Sequence, residues 1–500
     1  MHKIANFNLT LSPIRGLFVA LLVVFTSLFY TSCLEEDVFS PPSQDLSFSV
    51  DTLRFDTVFT SLGSATRSVR VINNSSENIS LASIKFASND FSKFRMNVDG
   101  LPGEQFQNIE IRANDSLYIF VEVTIDPDEP LSSSPFIIDD AILIEGGSVT
   151  QRIVLEAWGQ NANYIPNRFN AGNLVRLTCN NEQLLWNDSK PYVIYGILFI
   201  DSCNIVIPAG TQIYVHGGLA NFEGVIANDG ALFFQKGGIL TTEGTQENPV
   251  VFQGDRLEQS FSEVSGQWTG IRLLANSKGH SLNHTIIKNS VIGVRADSAA
   301  SITINKSQIY NTSNAAVIGI HADISIENSL LYSNGSSSLF FGYGGNYDIV
   351  HTTLANYGNQ ESAVVMDNFQ CLNSDCDAID LNNLNATFTN CIISGSGDDE
   401  ILYIDATQGD NPDAFNIKFN NCLVKIDELE GDPLFESVCQ DCIPIMQGDS
   451  IFIERFEDDY HLHPSSPAQN VGLYISSVSD DLDNVIRDPN APDLGCFESI

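Results

Sequence analysis

Between about Leu282 and Tyr357 the chain repeats itself, and this restricts its fold more tightly than any other feature. Thr285-Ile286-Ile287, Ser307-Gln308-Ile309, Ser329-Leu330-Leu331 and Thr352-Thr353-Leu354 align at intervals of 22, 22 and 23 residues. Asn289, Asn311 and Asn356 form a second column, with Ser333 in the remaining place. A unit this short cannot bury an apolar face alone, so it must stack on its neighbours. Within each unit, runs of three to five residues alternate apolar and polar, with Asn, Gly and Ser at the corners. Such runs are short strands. Three of them per turn make one coil of a parallel β-helix, with coils about 4.8 Å apart and like residues in ladders. Crossover sterics favour the right-handed form. The predicted fold class is all-β: a right-handed parallel β-helix solenoid preceded by a β-sandwich.

The first 32 residues read as an export signal. Lys3 and Arg15 flank an apolar run, Gly16 to Phe25, too short for a spanning helix. Phe29-Tyr30-Thr31-Ser32-Cys33 resembles the lipobox of bacterial lipoproteins, in which the Cys becomes the lipidated N-terminus, although Tyr30 stands where Leu is usual. The following Leu34-Glu35-Glu36-Asp37 is similar to the acidic tag that sends some Gram-negative lipoproteins to the outer surface. The resemblance implies an outer-membrane protein, lipid-anchored and facing the cell exterior. The full chain carries 24 Lys and Arg against 62 Asp and Glu, a net charge of −38. A surface of that sign repels phosphate backbones and argues against nucleic acid as a partner.

From Leu46 to Gly159 the alternation of Leu117, Ile119, Val121, Val123 and Ile125, and of Ile153, Leu155 and Ala157, predicts a sandwich of about seven strands. Strand Val69 to Ile72 runs into Asn73-Asn74-Ser75; Asp90-Phe91, Asp115-Ser116, Pro127 and Trp158-Gly159 follow. This order resembles immunoglobulin-like domains of the ASPM/SPD-2/hydin type. It suggests a spacer without chemistry of its own.

From Tyr192 onward, Gly-punctuated apolar strands such as Ile205 to Thr211, Ile213 to Gly218 and Gly238 to Thr245 resemble the entry coils of the pectin-lyase-like superfamily. Residues 358–384 read as a protruding loop, and the ladder resumes at Phe388-Thr389-Asn390-Cys391 and Phe419-Asn420-Asn421-Cys422. Asp432-Pro433-Leu434-Phe435, Asp459 to Ala468 and Asp493-Leu494-Gly495-Cys496-Phe497-Glu498 together resemble the closing segment of bacterial surface β-helix proteins called choice-of-anchor Q, with Cys496 where that pattern usually has Ala. The predicted organisation is a signal peptide over 1–32 and an acidic tether over 33–45. The immunoglobulin-like sandwich covers 46–160, with a linker and N-terminal cap over 161–190. The β-helix covers 191–440 and a closing segment 441–500.

Ten cysteines in an exported chain imply disulfides. Removing Cys33 leaves nine, so at least one is unpaired within the chain. Cys371 with Cys376 and Cys439 with Cys442 are the nearest pairs in sequence and Cys179 with Cys203 is a further candidate, the sequence leaving the pairing among the nine open, while Cys391 and Cys422 read as stacked core thiols. His461 and His463 near Cys439 and Cys442 lack a zinc spacing, so no metal is assigned to them.

The candidate site is an outward row. Gly270-Ile271-Arg272, Gly293-Val294-Arg295 and Gly319-Ile320-His321 align at intervals of 23 and 26, which turns Ile271, Val294 and Ile320 inward and Arg272, Arg295 and His321 outward. Asp297 and Asp323 follow two residues on. Arg donates in a planar fork that fits carboxylates. One reading is therefore a surface for acidic extracellular polysaccharide or host glycan. The other is a solvated ladder of surface ion pairs worth little. No cofactor is implied; calcium is the one ion that Asp297 and Asp323 could hold. The resemblance to pectate lyases raises a catalytic alternative, in which Arg272 or Arg295 is the base beside a metal-neutralised carboxylate. The extended signatures of those lyases are absent, as are the Asn-Thr-Asp, Gly-His-Gly and Arg-Ile-Lys motifs of polygalacturonase-like hydrolases. The favoured function is non-catalytic glycan or host-surface binding; a polysaccharide lyase or glycoside hydrolase and a purely structural surface protein are the alternatives.

Overall fold

A computed structural model describes residues 38–59, 66–88, 93–124, 136–166, 174–222, 225–257 and 261–499. The leader, Cys33 and Glu35 to Asp37 lie outside the described residues, as do Asp90-Phe91, Ile125 and Pro127. Among the described residues no helix is long and apolar enough to cross a membrane.

The N-terminal unit is a sandwich of two five-stranded sheets. One sheet orders Ser47–Phe48, Arg67–Ile72, Ser116–Val123, Phe94–Val98 and Leu101–Gly103; the other orders Thr52–Phe59, Val149–Gln160, Phe136–Gly146, Ile79–Phe86 and Gln105–Ile111. The strands outnumber the seven expected because two extended runs switch sheets. The chain changes sheet between Phe48 and Thr52, and again at Glu104. Alternation sets the core. Val69 and Val71 pair antiparallel with Ile119 and Leu117, and all four are buried. Asn73 pins the turn: its Nδ2 donates to the carbonyls of Glu77 at 2.8 Å and Arg112 at 2.9 Å.

The C-terminal unit is the β-helix, built of three faces per coil. The first face is an 11-stranded sheet that includes Thr285–Lys288, Gln308–Tyr310, Leu330–Tyr332, Thr353–Asn356 and Ile392–Gly395. The second and third faces together form a 17-stranded sheet, since Val317–Glu327 and Leu339–Val350 run from one face into the other without a break. Ile287, Ile309, Leu331 and Leu354 stand in register on the first face, point inward and are fully buried. The coils begin earlier than Tyr192, because Asn163–Ile165, Leu174–Thr178 and Gln183–Leu185 already pair in parallel with the next coil. Within 358–384, Val364–Asp367 keeps the ladder, and only the antiparallel hairpin Phe369–Cys371 with Ile379–Leu381 leaves it.

The hydroxyl column of the repeat makes the corner between the third and first faces. Each member bonds the carbonyl two residues before it: Thr285 to Asn283 at 3.2 Å, Ser307 to Asn305 at 2.8 Å, Ser329 to Glu327 at 2.8 Å and Thr352 to Val350 at 3.0 Å. Thiols take over in the following coils, Cys391 to Thr389 and Cys422 to Asn420, both at 3.4 Å. The residue just before each is left-handed, with φ of 41° at His284, 44° at Lys306, 46° at Asn328, 45° at His351, 54° at Asn390 and 49° at Asn421. Left-handed backbone is unfavourable outside Gly, and Asn tolerates it best. The local side-chain bond offsets part of that strain. Cys391 and Cys422 are thus free, buried ladder thiols, and Cys179–Cys203, Cys371–Cys376 and Cys439–Cys442 are disulfides.

The closing segment lies along a flank of the solenoid. Tyr460, Leu462, Ala468, Leu494 and Phe497 form an apolar layer over the outward side chains of the first face, among them Leu330, Tyr332 and Leu423. Its backbone is tied to the left-handed column. Asn390 Nδ2 donates to the Leu473 carbonyl at 2.7 Å, Asn328 Nδ2 to that of Asp480 at 2.9 Å, and Lys306 Nζ meets the Asp480 carboxylate at 2.7 Å. These corner amides therefore bond the tail rather than one another. The core's end is filled instead by helix Pro433–Val438, N-capped by Asp432; its Phe435 sits 5.9 Å from the Phe419 ring.

Two outcomes follow from this packing. Leu331→Asp, or Ile309→Asp, buries an unpaired charge inside the stack. Each should lower stability by about 4 kcal/mol or more in urea unfolding, the range of severe core faults. A loss under about 1 kcal/mol would contradict the inward register. In the tail, His461 is held between Asp459 (2.6 Å, Nδ1) and Asp483 (2.8 Å, Nε2). The bond to Asp483 leads in pushing its pKa up to about 9. A raised imidazole stabilises fully below its unfolded pKa of about 6.5. That contribution is lost as pH rises through about 9. Melting temperature should therefore fall between neutral pH and pH ~10 more steeply in the parent than in His461→Gln; parallel curves would refute the clamp.

Candidate functional site

The second face carries the arginine row. Strand register stacks Phe199 on Phe233, Phe233 on Arg272, and Arg272 on Arg295, each from the next coil. Ile271 and Val294 point into the core and are buried, so alternation sends both guanidinium groups outward. Asp297 ends the Arg295 strand and serves both: Oδ2 accepts from Arg272 Nε at 2.8 Å and Oδ1 from Arg295 Nε at 2.9 Å. The arginine side chains are 39% and 34% exposed, the aspartate 14%. Each guanidinium is thus fixed by its Nε while its Nη donors have no protein partner among the described residues. Two cations share one anion, which leaves one positive charge at the surface.

Two aromatic rings extend the row. Phe199 and Phe233 stack at 4.9 Å, and the Arg272 guanidinium lies 5.9 Å from the Phe233 ring centre. Both rings are half-buried on the outward side. Sequence reasoning missed them because coil length varies: Phe199 and Phe233 are 34 residues apart, and Phe233 and Arg272 are 39. The alternation in Ile197–Asp201 and Ala231–Phe234 was the only signal available.

His321 does not join the row. Arg295 pairs with Ile318, and Ile318 with Phe340; Val317, not Ile320, occupies the inward place of Ile271 and Val294. His321 sits at the corner between the second and third faces with φ 51°, at an irregularity of register between Ile320 and Ala322, its ring 5.7 Å from Tyr343. The Gly319-Ile320 dipeptide imitates the earlier two, whereas the constant interval of 23 leads to Ile318. Asp323 also stands apart. It lies on the third face, in register with Ser301 and Asn346, and accepts from Asn346 Nδ2 at 2.7 Å. Asp297 and Asp323 therefore form no joint calcium site. No group of three or more His, Cys, Asp or Glu side chains among the described residues is placed to hold a metal ion.

Glycoside hydrolases mostly use two carboxyl groups facing across a bond, and of the carboxylates along the second face three are engaged by neighbours. Asp297 is shared by the arginines, Asp201 lies 3.7 Å from Arg176, and Asp367 accepts the Tyr343 N–H at 2.7 Å. A half-exposed His216 is a further acid–base group of the neighbouring coils. Its Nδ1 lies 2.6 Å from Asp255 and its ring stacks on Tyr195 at 4.5 Å. The bond and charge of Asp255 raise the imidazole pKa against the larger opposing effect of burial. That dyad belongs to the first face, and the buried Asp229, whose pKa burial raises, acts on the charge of His216 as well.

No known family's sequence profile matches the chain, and no curated protein matches it. Among solved structures, a family 123 glycoside hydrolase from Clostridium perfringens is similar at 13% identity and TM-score 0.18, over 26% of this chain and 27% of that one. Pectate lyase Pel9A is similar at 13% identity and TM-score 0.25, over 67% of this chain and 86% of that one. The GH87 α-1,3-glucanase of Streptomyces thermodiastaticus is similar at 9% identity and TM-score 0.23, over 71% and 79%. These likenesses are weak, and the parallel β-helix is read from the strand pairing itself.

By the usual worth of ion pairs near the surface, this partly exposed triad contributes little to folding. Asp297→Asn should change unfolding free energy by no more than about 1 kcal/mol in urea titration; a loss of several kcal/mol would make the triad a structural element.

Proposed function

We propose that this protein is a bacterial outer-surface lipoprotein, anchored through Cys33, that binds acidic extracellular glycan on the second face of its β-helix without catalysis. One observation carries the reading: Phe199, Phe233, Arg272 and Arg295 form a continuous outward row, and Asp297 orients both guanidinium groups while leaving their Nη donors free. A sugar ring has an apolar face that stacks on an aromatic ring, and a uronic or sulfate group accepts two parallel bonds from an arginine fork. The row rises at one residue per coil, about 4.8 Å, so a linear chain along the axis meets rings and cations in turn.

Titration calorimetry with uronic-acid and sulfated oligosaccharides tests the site. Binding should weaken with added salt, because the contacts are exposed. Arg272→Ala with Arg295→Ala should reduce affinity at least about tenfold, the equivalent of 1.4 kcal/mol, with an unchanged melting temperature. Undiminished affinity in the double variant, or none in the parent, refutes the reading. For the anchor, Cys33→Ala should move the protein from membrane to soluble fractions, because the acyl chains supply the membrane affinity. Continued membrane residence with lipid labelling would refute it.

A further inference from the structure

On the third face, two outward columns enclose a groove. The first runs Ser301, Asp323, Asn346, Asn385 and Asn416; the second runs Thr303, Ser325, Asp348, Thr387 and Lys418. The groove between them holds about 390 Å³, and edges of Ile302, Ile324 and Tyr347 contribute to its floor.

The two walls differ in kind. In the first, the amides bond head to tail along the axis: Asn346 Nδ2 to Asp323 Oδ1 at 2.7 Å, Asn385 Nδ2 to Asn346 Oδ1 at 3.0 Å, and Asn416 Nδ2 to Asn385 Oδ1 at 3.3 Å. Every donation runs toward the earlier coil, so the chain is ordered and ends on a carboxylate. Each amide retains one N–H and one lone pair for a ligand. In the second wall the side chains of Thr303, Ser325, Asp348 and Thr387 have no hydrogen-bond partner among the described residues. Partial desolvation pushes the Asp348 pKa up, while the side chain stands exposed on the outward face.

We propose that this groove is a second binding site, separate from the arginine row, that takes a neutral, hydroxyl-rich linear glycan lying along the helix axis. The apolar floor fits the C–H face of a pyranose ring. The rigid amide wall and the unpartnered hydroxyls fit sugar hydroxyls, which both donate and accept. Three coil steps from Ser301 to Asn385 span about 14 Å at the strand spacing. Asp323 and Asp348 set the selectivity: a carboxylate accepts strongly from hydroxyls but repels uronic and sulfate groups. The two faces therefore sort glycans by charge.

The test is calorimetry on the full chain with neutral linear oligosaccharides of glucose, mannose and galactose. Ser325→Leu fills the groove from an outward position and should reduce affinity at least about tenfold, the equivalent of 1.4 kcal/mol. Asp348→Ala should reduce it several-fold, both variants keeping the parent melting temperature. Arg272→Ala with Arg295→Ala should leave neutral binding unchanged. No neutral binding by the parent overturns the proposal and leaves the arginine row standing on its own acidic-glycan test. So does neutral affinity that survives Ser325→Leu, or that disappears with the two arginines.

Discussion

Inward stacking of like residues, coil upon coil, is the constraint on which every other feature of the C-terminal unit depends. Ile287, Ile309, Leu331 and Leu354 are each fully buried, and each is held in register by the backbone bonds of the next coil. A solenoid of this kind has only neighbour-to-neighbour interfaces, so a turn that fails to reverse the chain at one coil would misplace all later ones. The left-handed residue followed by a back-bonding hydroxyl or thiol meets that need. It recurs from His284-Thr285 to Asn421-Cys422 with three different side-chain types in the second place. What is kept is a small group able to bond the carbonyl two residues before it, which Ser, Thr and Cys all do.

The tail builds on the same column. Left-handed corners leave side chains of Lys306, Asn328 and Asn390 reaching outward in a line, and the tail uses all three. One of its polar groups, Arg487, is fully buried. It bonds Asn328 Oδ1 at 2.8 Å and Glu498 at 3.2 Å. A buried arginine without these partners would be very costly, so the tail can dock in one register only. Docking covers the aromatic and aliphatic side chains on the outside of the first face.

These relations explain which parts of the structure were legible in the sequence. The 22-residue period gave the solenoid, and the core column Ile309 and Leu331 followed from it because strand alternation has no freedom once the period is known. Arg272 and Arg295 were found for the same reason, since equal intervals imply equal positions. His321 falls outside the row because its Gly319-Ile320 dipeptide carries it three residues past Ile318, where the interval of 23 leads. Phe199 and Phe233 were hidden by coil lengths of 34 and 39 residues. The sandwich gave its buried residues but not its strand number, as sheet switching at Glu104 changes no alternation pattern. The flank position of the tail depends on side chains far apart in sequence, such as Lys306 with Asp480 and Asn390 with Leu473, and no local pattern encodes it.

The proposed division of labour between the second and third faces rests on electrostatics at two ranges. The chain's net charge of −38 repels an acidic polymer at a distance, but salt screens that field within about 8 Å at physiological strength. Attraction by Arg272 and Arg295 therefore acts only at contact, and it must be local and directed to matter. Sharing Asp297 achieves this: the carboxylate fixes both forks through Nε and leaves a single positive charge with its donors aimed outward. On the third face the sign is reversed, with Asp323 and Asp348 among hydroxyls and amides. Val317–Glu327 and Leu339–Val350 carry the backbone from the first chemistry to the second without a break, turning at the left-handed His321 and Tyr343. The corner that displaced His321 from the row is thus what sets the two walls apart, since a straight strand would have merged their charges into one face.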